Sequence, residues 1–188
     1  MSPCGCGCGH ESNLTVKNLL AAFNGESNAS AKYGVYSEKA KADGYEALAS
    51  LFAAASAAEK LHAARHAKVI ASLGGQATAQ IGTYTGKSVA EMLQDAIAGE
   101  TEEFTEMYPG FIEQAKKEGN DAAVQSFEGA MKAEVVHAAL YKEALGNLDA
   151  WKEKIDFFVC PVCGWTEAKA APDRCPICGV PAAKFSKF

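Results

Sequence analysis

Apolar residues recur along most of this chain at alternating intervals of three and four, the spacing that lines one face of an α-helix. Four such runs are present. The first is Leu19, Phe23, Glu26, Ser30, Tyr33 and Ser37, with Thr15 as its expected cap and Gly44 stopping it after about Asp43. The second, from about Tyr45 to Leu73 before Gly74-Gly75, carries Leu48, Phe52, Ala55, Glu59, His62, His66, Val69 and Leu73. The third opens with the capping box Ser88-x-x-Glu91 and carries Leu93, Ile97, Glu100, Phe104, Met107 and Phe111 to about Glu118. Pro109 falls inside it and predicts a kink or an interrupted hydrogen bond. Asn120 caps the fourth, which carries Phe127, Met131, Glu134, His137, Tyr141 and Leu145 before Gly146.

Helices of this length, at ~1.5 Å per residue, make a bundle roughly 40 Å long. The polar, Gly-containing stretch 75–87 stretches to roughly 43 Å at ~3.3 Å per residue, enough to cross the whole bundle. The connections around Gly44 and Gly119 are tight and demand antiparallel neighbours. Two hairpins joined by one long crossover give the expected fold class: an all-α four-helix ferritin-like bundle over residues 13–146. A simple up-down bundle is the alternative topology.

The stripes contain an anomaly: carboxylates and imidazoles stand where core residues belong. Counted from the start of its helix, Glu26 lies 11 residues in, Glu59 and His62 lie 14 and 17, Glu100 and Glu103 lie 12 and 15, and Glu134 and His137 lie 13 and 16. All seven therefore meet at one level, whichever way each helix points. The halves also repeat, with 74 residues from Glu26 to Glu100 and 75 from Glu59 to Glu134. Five buried carboxylates without counter-charge would cost several kcal/mol each. Two divalent or two trivalent cations nearly cancel them, so the pattern calls for a dinuclear metal centre. Oxygen-rich ligands with one imidazole per metal suit iron or manganese better than structural zinc. A Glu from each of two helices plus two Glu-x-x-His pairs is the ligand plan of ferritin-like di-metal proteins, here with Glu103 in surplus.

Beyond Gly146 the pattern changes. Residues 147–158 read as a linker, with Trp151 resting on one module, and residues 159–188 contain Cys160-x-x-Cys163-Gly164 and Cys175-x-x-Cys178-Gly179. Thirty residues bury too little surface to fold unaided, so a metal held by four thiolates must staple them. The spacing alone serves zinc or iron equally well. A one-electron module beside a redox di-metal centre favours iron.

The remaining three of the seven cysteines, Cys4, Cys6 and Cys8, stand with His10 in a Cys/Gly-rich stretch, residues 1–12, read as a flexible tail of adventitious thiols, although such a run can capture soft metals. Clustered cysteines of this kind suit a reducing compartment. The net charge of −5 has no long basic run behind it, which argues against a nucleic-acid partner. No apolar stretch approaches the ~20 residues of a membrane span, and no secretory signal layout precedes the first helix. The expected setting is cytoplasmic.

The segments Gly25-Glu26-Ser27, Glu59-Lys-Leu-His62, Gly99-Glu100-Thr-Glu-Glu103-Phe-Thr-Glu-Met-Tyr108-Pro109 and Glu134-Val-Val-His137, followed by the four-cysteine tail, closely resemble the rubrerythrin family over about residues 13–188. The tail resembles a shortened rubredoxin. The Cys-rich first residues are not part of the family's usual pattern.

The resemblance implies Glu59 and Glu134 as bridging ligands of two irons, Glu26 and Glu100 as terminal ligands, and His137 on one iron. It implies that Glu103 exchanges with His62 as oxidation state changes, and that Tyr33 and Tyr108 donate hydrogen bonds to ligand carboxylates. His66 is expected to support or pack against the site and not to ligate. The implied activity is reduction of hydrogen peroxide to water. Electrons would come through the Cys4 iron from an external donor such as a rubredoxin or an NAD(P)H-dependent reductase. The implied assembly is a homodimer, in which the Cys4 iron of one subunit can face the di-iron site of the other. The competing readings are an iron-oxidising or iron-handling ferritin-like protein, an oxygen reductase, or a zinc-stapled interaction module without catalysis.

Overall fold

A computed structural model describes residues 13–188, so Cys4, Cys6, Cys8 and His10 lie outside the described residues. The chain forms α1 (Leu14–Ala42), α2 (Glu46–Ser72), α3 (Val89–Glu102), a π-helical turn (Glu103–Met107), α4 (Tyr108–Lys117) and α5 (Asp121–Gly146). A short 3-10 turn, Leu148–Trp151, leads to a small sheet of β1 (Phe157–Val159), β2 (Thr166–Ala168) and β3 (Ser186–Lys187).

The helix boundaries follow the capping chemistry with one correction. Asn13, not Thr15, caps α1, its side chain accepting from the Val16 amide at 3.0 Å. Thr15 is instead buried in the first turn, and its amide donates to the Glu118 carboxylate at 3.0 Å. The end of α4 thus caps the start of α1. Gly44, Gly74 and Gly119 take positive φ at three helix exits, and the Ser88–Glu91 capping box and the Asn120 cap both form.

The third run is not one kinked helix. Its hydrogen bonding widens between Glu103 and Met107, where the Tyr108 amide reaches back five residues to the Glu103 carbonyl. Pro109 follows as the second residue of α4, a position that does not require its missing N–H.

The crossover distinguishes the two topologies. Leaving α2 at Gly74, the chain runs along α1: Gln80 bonds the side chains of Asn24 and Asn28, the Gly82 amide and the Tyr84 hydroxyl both donate to Asn28 Oδ1, and Gly86 packs on Lys39. It therefore travels from the start of α1 towards its end. The Tyr36 hydroxyl and Lys32 ammonium then meet Asp95 of α3 at 2.9 and 2.8 Å. Tyr108 lies beside Glu26, so α3 and α4 run antiparallel to α1 and parallel to α2. This is the ferritin-like arrangement of two hairpins and a crossover.

The core consists of two apolar clusters at opposite ends of the bundle. One packs Tyr33, Tyr36, Leu48, Phe52, Leu93 and Tyr141 with Trp151 and Phe157. The other packs Leu19, Ile70, Tyr108, Ile112, Phe127 and Ala130. Trp151 stacks on Phe157 at 6.0 Å, and the Glu46 amide donates to the Lys152 carbonyl, which fixes the linker to the bundle. The strand β1 begins at Phe157, within the stretch expected to be linker, and pairs antiparallel with β2 and β3 on its two sides.

The Asn28 side chain makes three of the bonds that hold the crossover, so N28A is expected to lower the unfolding free energy by about 1–2 kcal/mol and speed proteolysis within 75–87. Denaturant unfolding and limited proteolysis check this.

Candidate metal centre

Between the two apolar clusters lies a layer of charge. Glu26 comes from α1, Glu59 and His62 from α2, Glu100 from α3, and Glu134 and His137 from α5; all six side chains are buried. They form two quartets that could each hold a metal ion: Glu26, Glu59, His62 and Glu134, and Glu59, Glu100, Glu134 and His137. Glu59 and Glu134 belong to both quartets, as bridging carboxylates must. Glu103, on the π turn, stands outside both quartets and stays partly exposed.

The layer fits a pair of cations on its own chemistry. Glu26 Oε2, Glu59 Oε1, Glu100 Oε2, both oxygens of Glu134 and His137 Nδ1 are buried without a hydrogen-bond partner. Orphaned acceptors in this number are costly unless a cation takes their lone pairs. Both imidazoles turn Nδ1 into the layer: His62 Nδ1 lies 2.8 Å from Glu59 and 3.0 Å from Glu134, and His137 Nδ1 lies 3.0 Å from Glu134 and 3.2 Å from Glu59.

Electrostatics follow from this crowding. Burial and the Glu59 charge push the Glu100 carboxyl up to about 8, and burial with the Glu134 charge raises Glu59. Burial also acts on Glu26 and Glu134, but the imidazoles of His62 and His66, 3.7 and 3.9 Å from the Glu26 oxygens, hold Glu26 down, and the His62 charge holds Glu134 down. His62 and His137 are raised well above the ordinary imidazole range; burial opposes this, and the surrounding carboxylates outweigh it.

Tyrosines brace the layer from both ends. The Tyr33 hydroxyl donates to Glu100 Oε1 at 2.5 Å, and the Tyr108 hydroxyl donates to Glu26 Oε1. Each hairpin thus supplies a phenol to the other hairpin's carboxylate. His66 ligates nothing: its Nε2 meets the Tyr108 hydroxyl at 3.1 Å and its Nδ1 meets Ser126 Oγ at 2.8 Å. Ser126 in turn lines a surface pocket of about 380 Å³ with Lys68, Ser72 and Gln125.

The four-cysteine module closes the layer from outside. Two knuckles form, Gly164 N–H donating to the Cys160 carbonyl at 3.0 Å and Gly179 N–H to that of Cys175 at 2.8 Å. The thiol sulfurs of Cys160 and Cys178, and of Cys163 and Cys175, lie 3.4 Å apart, near the ~3.8 Å edge of a tetrahedral thiolate site. Burial pushes the Cys160 thiol up to about 11 and Cys163 further, so a cation is needed to hold them as thiolates.

The first knuckle sits directly on the bundle. His62 Nε2 lies 3.0 Å from the Cys163 carbonyl, Arg65 Nη1 donates to the Val162 carbonyl at 3.1 Å, and His137 Nε2 lies 3.0 Å from Thr166 Oγ1. A Cβ on Gly164 would stand 2.3 Å from His62 Nε2, so only glycine permits this approach, and its φ of 77° requires glycine as well. Sequence patterning did not single out Ser126, Thr166 or Arg65. A small hydroxyl on a buried helix face and one at the start of a three-residue strand carry no periodic signal.

Groups that hold protons must lose them to bind metal. With Glu100 near 8 and both histidines raised, loading the site is expected to release protons, with affinity rising as pH increases through about 8. Titrating the metal-free chain with Fe(II) in weakly buffered anaerobic solution at several pH values measures both.

Comparison with known proteins agrees with this architecture over nearly the whole chain. The rubrerythrin family model matches residues 17–145, and the rubrerythrin rubredoxin-like domain model matches 158–186. Nigerythrin of Nitratidesulfovibrio vulgaris is 36% identical over 93% of this chain and 86% of its own, and rubrerythrin-2 of Clostridium acetobutylicum is 34% identical over 93% and 97%. A solved structure of nigerythrin in its fully reduced, all-ferrous state superposes with a TM-score of 0.88 at 36% identity, covering 93% of this chain and 86% of that one. A Desulfovibrio desulfuricans bacterioferritin, 23% identical with a TM-score of 0.69 over 74% of this chain and 82% of its own, shares the bundle fold. With a carboxylate–histidine di-iron layer inside the bundle and a rubredoxin-like Cys4 site set against it, this chain belongs to the rubrerythrin family.

Proposed function

We propose that this protein is a non-haem di-iron peroxidase that reduces hydrogen peroxide to two waters, consuming two electrons and two protons. The observation that carries the reading is the contact between His62 and the Cys163 carbonyl, which joins a Cys4 site to one imidazole of the di-metal layer. Iron storage has no use for such a relay. When bound, the two irons would supply one electron each and Lewis acidity toward the oxygens of peroxide.

The chain's own groups account for the protons. Tyr108 donates to Glu26, so His66 Nε2–H donates to the Tyr108 oxygen and His66 Nδ1 accepts from Ser126. Every donor in the series points from the Ser126 pocket toward Glu26. Burial keeps Tyr108 protonated and His66 neutral, the states this series requires. A proton entering at Ser126 Oγ is thereby matched by one leaving Tyr108 Oη for the Glu26 carboxylate; the step converts His66 from its Nε2–H to its Nδ1–H tautomer, which reverts before the next proton.

In this reading Glu26, Glu59, Glu100, Glu134, His62 and His137 hold the irons. Glu103, on the wide turn, would be the carboxylate that can take the place of His62 as an iron ligand. Cys160, Cys163, Cys175 and Cys178 hold the third iron. The exposed Cys178 is where an external one-electron donor, a rubredoxin or an NAD(P)H-dependent reductase, would approach. The protein would act as a homodimer in the cytoplasm; among the described residues no helix is long and apolar enough to cross a membrane.

Two experiments test the assignment. The anaerobically purified chain should contain three irons. Its fully reduced form should be reoxidised far faster by hydrogen peroxide than by dioxygen in stopped-flow absorbance. Faster reaction with dioxygen would instead identify an oxygen reductase or an iron-oxidising protein, and zinc at the cysteines beside an iron-free bundle would remove catalysis altogether. E103A should keep its fold and its iron yet turn over peroxide about 10- to 100-fold more slowly.

A further inference from the structure

Thr166 belongs to the Cys4 module, yet its hydroxyl is spent on the bundle. Its Oγ1 lies 3.1 Å from the Gly164 carbonyl and 3.0 Å from His137 Nε2, and both side chains are essentially without solvent exposure. A carbonyl only accepts, so the single hydroxyl proton goes to Gly164, and a lone pair is left facing His137. His137 must then carry its proton on Nε2. Once a metal displaces any proton on the inner nitrogen, the lone pair it meets is on Nδ1, the atom that faces Glu59, Glu100 and Glu134 at 3.0 to 3.6 Å and has no hydrogen-bond partner. One hydroxyl therefore determines which nitrogen of His137 is offered to a metal.

The same outer nitrogen of His62 is held differently. There the acceptor is the backbone carbonyl of Cys163, which no side-chain substitution deletes. The two imidazoles thus rest on one segment of the module at points three residues apart, one on the backbone and the other on a side chain that valine would match in shape without the oxygen. Buried at 1% exposure, Thr166 leaves no solvent to replace it.

We infer that Thr166 is a positioning residue for the second metal position: it fixes the His137 tautomer and ties that imidazole to the Cys4 module. The module is thereby the outer wall of both metal positions, with a separately tunable contact to each. This deepens the di-metal reading of the site and is independent of whether peroxide is the oxidant.

The test uses the full chain, with T166V and T166S, and needs no turnover. In anaerobic Fe(II) titrations T166V should weaken one of the two bundle sites about 10- to 100-fold and leave the other as in the parent, while T166S restores it. In Zn(II)-loaded, ¹⁵N-labelled protein, the Nε2–H proton of His137 should resonate downfield in the parent and in T166S and move upfield in T166V, with the His62 proton unmoved. The Fe(Cys)4 absorption, unchanged in every variant, shows that the module is folded. Parent-like affinities and His137 resonances in T166V would overturn the inference. So would equal loss at both bundle sites or loss of the Fe(Cys)4 band, which mark a role in folding alone. If these outcomes agree with the inference while peroxide proves a poor oxidant, the peroxidase reading fails and Thr166 keeps its role.

Discussion

Negative charge sealed inside a helical bundle is the constraint on which this structure depends. Four carboxylates meet at one level with almost no exposure, and several of their oxygens find no hydrogen bond within the protein. Such a layer is tolerable only when cations neutralise it and the surroundings hold each oxygen in place. The rest of the molecule meets those two requirements. Apolar clusters at both ends exclude water, two phenols fix the terminal carboxylates, and an appended module closes the side where the imidazoles would otherwise reach solvent.

Much of this was legible in the sequence because it is periodic. Helices declare themselves by spacing and caps, and Glu26, Glu59, Glu100 and Glu134 declared themselves by occupying apolar positions. The 13-residue connection suggested the crossover because its reach could be calculated. What stayed hidden is not periodic. The N-terminal cap moved from Thr15 to Asn13 because Glu118, over 100 residues away, takes the Thr15 amide. Thr166 meets His137 only because a three-residue strand pairs in one register. Pro109 signalled a kink or an interrupted hydrogen bond, and the interruption takes the form of a widened turn just before it, which the proline alone does not specify.

The module's place changes how its metal and the bundle's metals relate. A tethered electron carrier would need only proximity. Here the Cys163 carbonyl of the knuckle and the Thr166 hydroxyl of the strand beyond it contact the two imidazoles, so a metal that folds the module would also order the imidazoles of the bundle.

The widened turn has a consequence of its own. Tyr33 follows Glu26 by seven residues, while Tyr108 follows Glu100 by eight, and both phenols still reach a carboxylate of the opposite hairpin. The five-residue hydrogen bond absorbs that one additional residue, so the helix on either side keeps its phase. Doubling a hairpin would produce a centre with two interchangeable halves. A single inserted residue makes the halves unlike without disturbing the packing at either end, and it lifts one carboxylate, Glu103, out of the helical stripe. Two metal positions that differ can differ in potential and in the order in which they react, and here the distinction originates in the length of the main chain and not in the identity of any ligand.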